Sequence, residues 1–128
     1  MSRINTLGRA LGRGSAKHGV DHWWSQRTTA VALAVLSVWF VVSLLSMPTM
    51  DYVTLWAWMG HGWNAVPLVG LILAAARHSY LGLRVVVEDY VHAPALRIGT
   101  LLLLSFAHML VAAAAVFSVL DVAFGDLP

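Results

Sequence analysis

Three long apolar stretches, separated by short polar connections, make up most of the chain. They cover residues 28–46, 63–88 and 98–120. Each is longer than the roughly 18 residues that, at about 1.5 Å per residue, cross a hydrocarbon core of about 30 Å with some tilt. Because backbone groups in lipid must be hydrogen-bonded within their own segment, we expect three transmembrane helices. Residues 1–128 are therefore predicted to form one all-α membrane domain, a three-helix bundle.

The connection after the first stretch is predicted to contain a short helix. Pro48 is expected to stop the first long helix, because proline lacks a backbone N–H. Asp51 can then cap a helix that carries Tyr52, Trp56 and Trp58. Its high aromatic content and single charge place this helix either in the outer membrane interface or against a partner.

The composition supports a membrane protein and excludes several classes of site. Hydrophobic residues make up 59% of the chain and charged residues 11%, against about 25% charged residues in soluble domains. There is no cysteine, so the chain supplies no disulfide, thiolate metal site or iron–sulfur cluster.

The distribution of basic residues predicts the orientation in the membrane. Five lie before or at the start of the first stretch: Arg3, Arg9, Arg13, Lys17 and Arg27. The first loop has no basic residue, and the charged residues of the C-terminal tail are all acidic. The positive-inside rule then places the N-terminus inside and the C-terminus outside. The sequence pI of about 9.5 reflects this asymmetry and gives no reason to invoke nucleic acid. With no secretory signal, we expect a multi-pass protein of the bacterial cytoplasmic (inner) membrane, the alternative being the mitochondrial inner membrane.

The polar residues of the second stretch are the main functional signal. His78 lies about twelve residues, or roughly 18 Å, from the predicted cytoplasmic end. Polar groups at such depth are costly and usually functional. The imidazole can ligate a haem iron, or it can simply hydrogen-bond a neighbouring helix. Gly82, four residues on and on the same face, would let a flat macrocycle lie against the backbone.

Two arginines accompany His78. Arg77 and Arg84 are seven residues apart and form a basic stripe beside the His78 face. We expect them to face an acid between helices, such as haem propionates. Alternatively, they reach a water-filled crevice or pair with a partner subunit.

A second polar group lies where this helix meets the cytoplasmic interface. Asp89 follows His78 by eleven residues, which returns it to within about 20° of the same face. Tyr90 offers a phenol that can donate a hydrogen bond to a carbonyl. The alternative is an ordinary helix end with solvated acids, in which Glu88 pairs with Arg84 at i,i+4.

His108 lies at a similar depth in the third stretch. A haem held between His78 and His108 of one chain is therefore a possible arrangement, although a lone histidine on an apolar helix more often serves packing.

Together these residues resemble the D-type hydrophobic membrane-anchor subunit of succinate dehydrogenase, respiratory complex II of the tricarboxylic acid cycle. The resemblance rests on His78-x3-Gly82 followed by Asp89-Tyr90, on Arg27 at the entry to the first helix, and on three spans with the N-terminus inside. It covers about residues 19–120.

The resemblance implies specific roles for these residues. His78 would be one axial ligand of haem b, the second coming from a companion C-type, cytochrome-b-like anchor subunit. Tyr90 would hydrogen-bond ubiquinone near the cytoplasmic face, and Asp89 would support that site. Arg27 would lie near the haem propionates or the quinone. The family often has a histidine shortly before the first helix, and here either His22 or Asp21 would take its place; His22 would then be a cofactor-binding residue.

The implied function is that of a membrane anchor. The chain would dock the flavoprotein and iron–sulfur subunits to the lipid membrane, and enzymatic activity would belong to the assembled succinate dehydrogenase (quinone). The alternatives are the anchor of a quinol:fumarate reductase, a self-contained haem b protein using His78 and His108, and a structural partner without cofactor.

Overall fold

The computed structural model describes residues 16–125, with side chains from residue 20. It contains four helices: α1 (Ala16–Leu45), α2 (Tyr52–Gly60), α3 (Gly62–Tyr90) and α4 (Pro94–Phe124). Three segments are long and apolar enough to cross a membrane, namely Val20–Leu45, Gly62–Tyr90 and Pro94–Phe124. The predicted all-α membrane fold is confirmed. Arg3, Arg9 and Arg13, on which the predicted orientation partly depends, lie outside the described residues.

The helices extend beyond the apolar stretches at their polar ends. α1 begins at Ala16 rather than near Thr28, and α4 begins at Pro94 rather than near Ile98. A helix continues through the interface because its hydrogen bonds do not depend on lipid. Proline is favourable at the first position of α4, where its missing N–H has no partner to lose.

The predicted short helix is present as α2, and Asp51 caps it. Asp51 Oδ1 accepts a hydrogen bond from the backbone N–H of Thr54 at 2.8 Å. The Thr49 hydroxyl donates to Asp51 Oδ2 at 2.6 Å. The Thr49 hydroxyl and then the Thr54 N–H stabilise the carboxylate and lower the pKa of Asp51.

Helix α2 packs on the chain's own long helices. The Trp58 ring stacks on the Trp39 ring of α1 with centroids 5.8 Å apart. The centroid of the Phe40 ring lies 6.0 Å from that of Trp58. These rings surround a small buried core of Ala65 and Leu68 from α3 and Val119 from α4. The best-packed part of the molecule is therefore the end of the bundle that carries α2.

The three long helices form an open bundle with α3 in the middle. α3 packs against α1 on one side and α4 on the other, and no Cα atom of α1 lies within 8 Å of one in α4. Large apolar side chains are correspondingly exposed on both flanking helices, among them Val35 at 65% and Leu110 at 70%. Much of the apolar surface of α1 and α4 is therefore not covered by the described residues, and lipid or other subunits can cover it.

Candidate functional site

A row of polar side chains on α1 lies along the contact between α1 and α3, which we call the seam. His22, Gln26 and Thr29 recur at i, i+4 and i+7 along α1, a spacing that places them on one helical face. All three are partly buried. On the facing helix, His78 contacts two members of this row. The part of the seam around His78 is therefore lined by polar side chains from both helices.

Thr29 determines which nitrogen of His78 is free. The Thr29 hydroxyl lies 2.8 Å from the Ser25 carbonyl oxygen and 3.0 Å from His78 Nδ1. A hydroxyl has one proton, and back-bonding to the preceding turn uses it, because a carbonyl can only accept. Thr29 therefore accepts from the His78 Nδ1–H. The Nε2 atom is then unprotonated and carries a lone pair.

Among the described residues, His78 Nε2 has only one long polar contact. The nearest polar atom is Gln26 Nε2 at 3.5 Å. Two further buried atoms of the seam, Gln26 Oε1 and His22 Nε2, have no hydrogen-bond partner among the residues that the structure describes. Unpaired buried polar atoms cost roughly 1–3 kcal/mol each, so the seam has unused hydrogen-bonding capacity.

Gly82 lies one turn below His78 on the same seam. A Cβ atom built on Gly82 would come within 4.0 Å of Gln26 Nε2, which is ordinary contact distance. The adjacent Leu81 is only 2% exposed, so the backbone here is packed closely. A bulky side chain in place of Gly82 would consequently displace the Gln26 amide that lies in front of His78.

These donors fit a haem better than a bare metal ion. The described residues contain no group of three His, Asp or Glu side chains able to hold a metal. Haem supplies four nitrogen ligands of its own and needs only axial ones from protein. A metal-binding histidine usually donates its second ring N–H to an oxygen, as His78 does to Thr29. The residues present therefore fit one axial position.

The predicted arginines lie in different surroundings. The Arg27 guanidinium lies 5.4 Å from the centroid of the Trp23 ring and is exposed. Arg84 pairs with Glu88 at 2.8 Å, which is the i,i+4 pairing anticipated from the sequence. Arg77 lines a groove with Tyr80 and residues of α4. It is not brought together with the His78 ring, which faces α1.

At the end of α3 the structure shows an exposed acid and an exposed phenol. Asp89 is exposed, and Tyr90, the last residue of the helix, is 78% exposed. The Val91 N–H continues the helical hydrogen bonding to Val87, and His92 Nδ1 donates to the Tyr90 carbonyl at 3.1 Å. Both side chains are thus held at a defined helix end and are free to meet a ligand or another chain.

His108 is a satisfied packing residue. Its Nδ1 donates to the Leu104 carbonyl at 2.8 Å, and its Nε2 lies 3.2 Å from the Ser79 hydroxyl. It lies on the α4 side of α3, whereas the His78 ring contacts α1. The two imidazoles therefore do not face one iron, and the self-contained haem with both ligands in one chain finds no support.

The sequence did not lead us to Gln26 and Thr29 as partners of His78. The available signal was their helical spacing from His22, which places the three side chains on one face of α1.

Comparison with known proteins identifies the family. Residues 1–120 match the family model described as succinate dehydrogenase/fumarate reductase transmembrane subunit.

Proteins named succinate dehydrogenase hydrophobic membrane anchor subunit are similar to the chain. The one from Rickettsia conorii is 37% identical over 65% of this chain and 67% of its own length. The one from Rickettsia bellii is 34% identical over 70% and 71%. The one from Paracoccus denitrificans is 29% identical over 70% of each. No solved structure matches. The chain therefore belongs to the succinate dehydrogenase/fumarate reductase transmembrane subunits, and among them to the hydrophobic membrane anchors of succinate dehydrogenase.

Proposed function

We propose that this chain is the D-type anchor of a succinate:ubiquinone oxidoreductase and that His78 Nε2 is one axial ligand of haem b. The observation that carries the proposal is the 3.0 Å contact of His78 Nδ1 with Thr29, which leaves Nε2 unprotonated. The second axial ligand comes from a companion C-type, cytochrome-b-like anchor subunit, since His108 is hydrogen-bonded elsewhere. Bound haem would pass single electrons.

The remaining residues of the seam act on the ligand and its surroundings. Thr29 holds the ring orientation and the tautomer of His78. Gly82 leaves room beside the imidazole, and His22 offers an unpaired ring nitrogen to the same region. Arg27 and Arg84 supply positive charge near the cytoplasmic end for propionates or quinone. Arg77 is left out because it faces the α4 side.

The quinone site lies at the end of α3. The exposed Tyr90 phenol donates a hydrogen bond to a ubiquinone carbonyl, and Asp89 beside it supports proton delivery. Reduction to the quinol takes two electrons and two protons. The electrons come from succinate through the flavoprotein and iron–sulfur subunits, which the anchor docks to the membrane. Tyr90 orients the carbonyl that receives a proton.

The relatives' names favour succinate oxidation over fumarate reduction. The similar proteins from Rickettsia and Paracoccus are named as subunits of succinate dehydrogenase, while the family model covers both enzymes. Because these organisms are bacteria, we place the chain in a bacterial cytoplasmic membrane, with the mitochondrial inner membrane as the alternative.

The haem assignment is tested by replacing each deep histidine in the assembled complex. His78→Ala should abolish or strongly perturb the haem b absorption spectrum, because no other imidazole of the seam has the same geometry. His108→Ala should leave that spectrum nearly intact. The measurement is haem absorbance per bound flavin. Equal losses in the two variants would contradict the assignment and support a haem between His78 and His108.

The quinone assignment is tested by Tyr90→Phe. Loss of one neutral hydrogen bond, worth about 1.4 kcal/mol, should lower succinate:quinone turnover by about tenfold. Oxidation of succinate by a soluble dye should not change, since it does not use the anchor. Tyr52→Phe at the other end of the bundle is the matched control. An unaltered quinone rate in Tyr90→Phe would rule out this role.

A further inference from the structure

Arg77 occupies an unusual position at the middle of a transmembrane helix. It lies thirteen residues before Tyr90, or about 20 Å along α3 at 1.5 Å per residue. Its side chain is exposed and lines a groove of about 210 Å³ between α3 and α4. The other walls include Tyr80 from α3 and Ser105, His108 and Met109 from α4.

The charge of Arg77 needs a partner that the described part of the chain does not supply. A guanidinium stays protonated in proteins, and at the bilayer centre it is costly unless it is paired or hydrated. Arg77 lies thirteen residues from one end of α3 and fifteen from the other, so it lies near the middle of the helix. Among residues 20–125, the one ion pair joins Arg84 to Glu88, so no carboxylate pairs with Arg77.

A second copy of the chain would not supply the missing acid. The acidic residues all lie near helix ends, in connections or in the tail, and none lies in the middle of a span: Asp21, Asp51, Glu88, Asp89, Asp121 and Asp126. A copy packed in either orientation would therefore bring no carboxylate from the middle of a span to Arg77. The occupant has to be a different molecule.

The walls of the groove suit a helix. Both ring nitrogens of His108 are already hydrogen-bonded within the chain, so His108 adds a polar group to the groove but no unpaired charge. The lining also includes the small side chains of Ala76 and Ala112. Small residues let a neighbouring helix approach closely in lipid, where packing and polar contacts drive association.

We propose that this groove docks a transmembrane helix of another succinate dehydrogenase subunit, which presents an Asp or Glu carboxylate to Arg77. Arginine binds a carboxylate through two parallel hydrogen bonds, which adds geometric specificity to the charge attraction. The interaction fixes the register between the two chains. The proposal rests on membership of the anchor family and does not depend on the haem or quinone assignments.

Site-specific cross-linking in the purified, assembled complex tests which molecule fills the groove. A photoreactive amino acid at Met109, which lines the groove, should cross-link to a transmembrane segment of another subunit. Mass spectrometry should place the adduct within one helical turn of an Asp or Glu. Val111, on the other side of α4 in an uncharged groove, is the matched control position. A phospholipid adduct at Met109, or a protein segment without an acid nearby, would overturn the proposal.

A charge exchange tests the ion pair itself. Arg77→Glu should lower the yield of assembled complex at least about tenfold, since breaking a buried charged pair costs several kcal/mol. Arg77→Glu combined with the mapped acid changed to Arg should restore assembly. If the single variant assembles normally, the proposal fails. It also fails if Arg77→Gln assembles fully but shifts the haem b spectrum, because Arg77 would then face the haem.

Discussion

At the scale of single residues, Thr29 makes the contact that gives His78 its chemical character. Its hydroxyl back-bonds to the Ser25 carbonyl at 2.8 Å and so accepts from His78 Nδ1–H. Such support orients a ligand and raises its basicity, and its loss typically costs 10–100-fold in metal affinity. In the proposed haem site, Thr29→Val should therefore weaken haem binding by about that factor. It should also raise the midpoint potential, because a less basic imidazole stabilises the oxidised iron less. The measurements are haem retention per flavin and a redox titration.

Two variants separate this role from a merely structural one. Thr29→Ser keeps the hydroxyl and should restore both haem retention and potential. Thr28→Val changes an exposed neighbour of the same kind and should leave both unchanged. If Thr29→Val shifts the potential no further than Thr28→Val does, the hydrogen bond does not tune the ligand.

At the scale of elements, the apolar stretches were sufficient to predict the three long helices, and Pro48 with Asp51 was sufficient to predict α2. The helix starts were less accurate, because α1 continues outward from Thr28 to Ala16 through residues that lipid does not require to be apolar. The pairing of α1 with α3 was not predictable either. Thr29 and His78 are 49 residues apart, and nothing local to either residue indicates which helix faces which.

The same limit applies to the polar residues of α3. Sequence periodicity placed Arg77 and Arg84 beside the His78 face, but it does not say which neighbour each side of the helix meets. In the structure the His78 ring contacts α1, while Arg77 lines the groove with α4. His78 and Arg77 are neighbours in the sequence, and their different surroundings follow only from the way α1 and α4 pack on α3.

At the scale of the whole molecule, the open bundle explains why its polar groups are incomplete. With α3 between α1 and α4, and with those two out of contact, the described residues bury neither His78 nor Arg77 fully. His78 Nε2 lacks a strong partner and Arg77 lacks an acid within the described residues. A subunit built this way gains its full set of contacts only in a complex with the other subunits of succinate dehydrogenase.

The orientation of the bundle is the last property on which the proposed function depends. Arg27, Arg84 and Arg97 lie at one end of the antiparallel helices, and the positive-inside rule predicts that this end faces the cytoplasm. Because the chain has no cysteine, single cysteines report the orientation without background. Met50→Cys, at an exposed position before α2, should react with a membrane-impermeant maleimide in intact spheroplasts. Ala95→Cys, at the start of α4, should react only after permeabilisation. The reverse labelling would place Asp89 and Tyr90 on the outer surface, away from cytoplasmic protons and from the docked iron–sulfur subunit, and the quinone site would have to be abandoned.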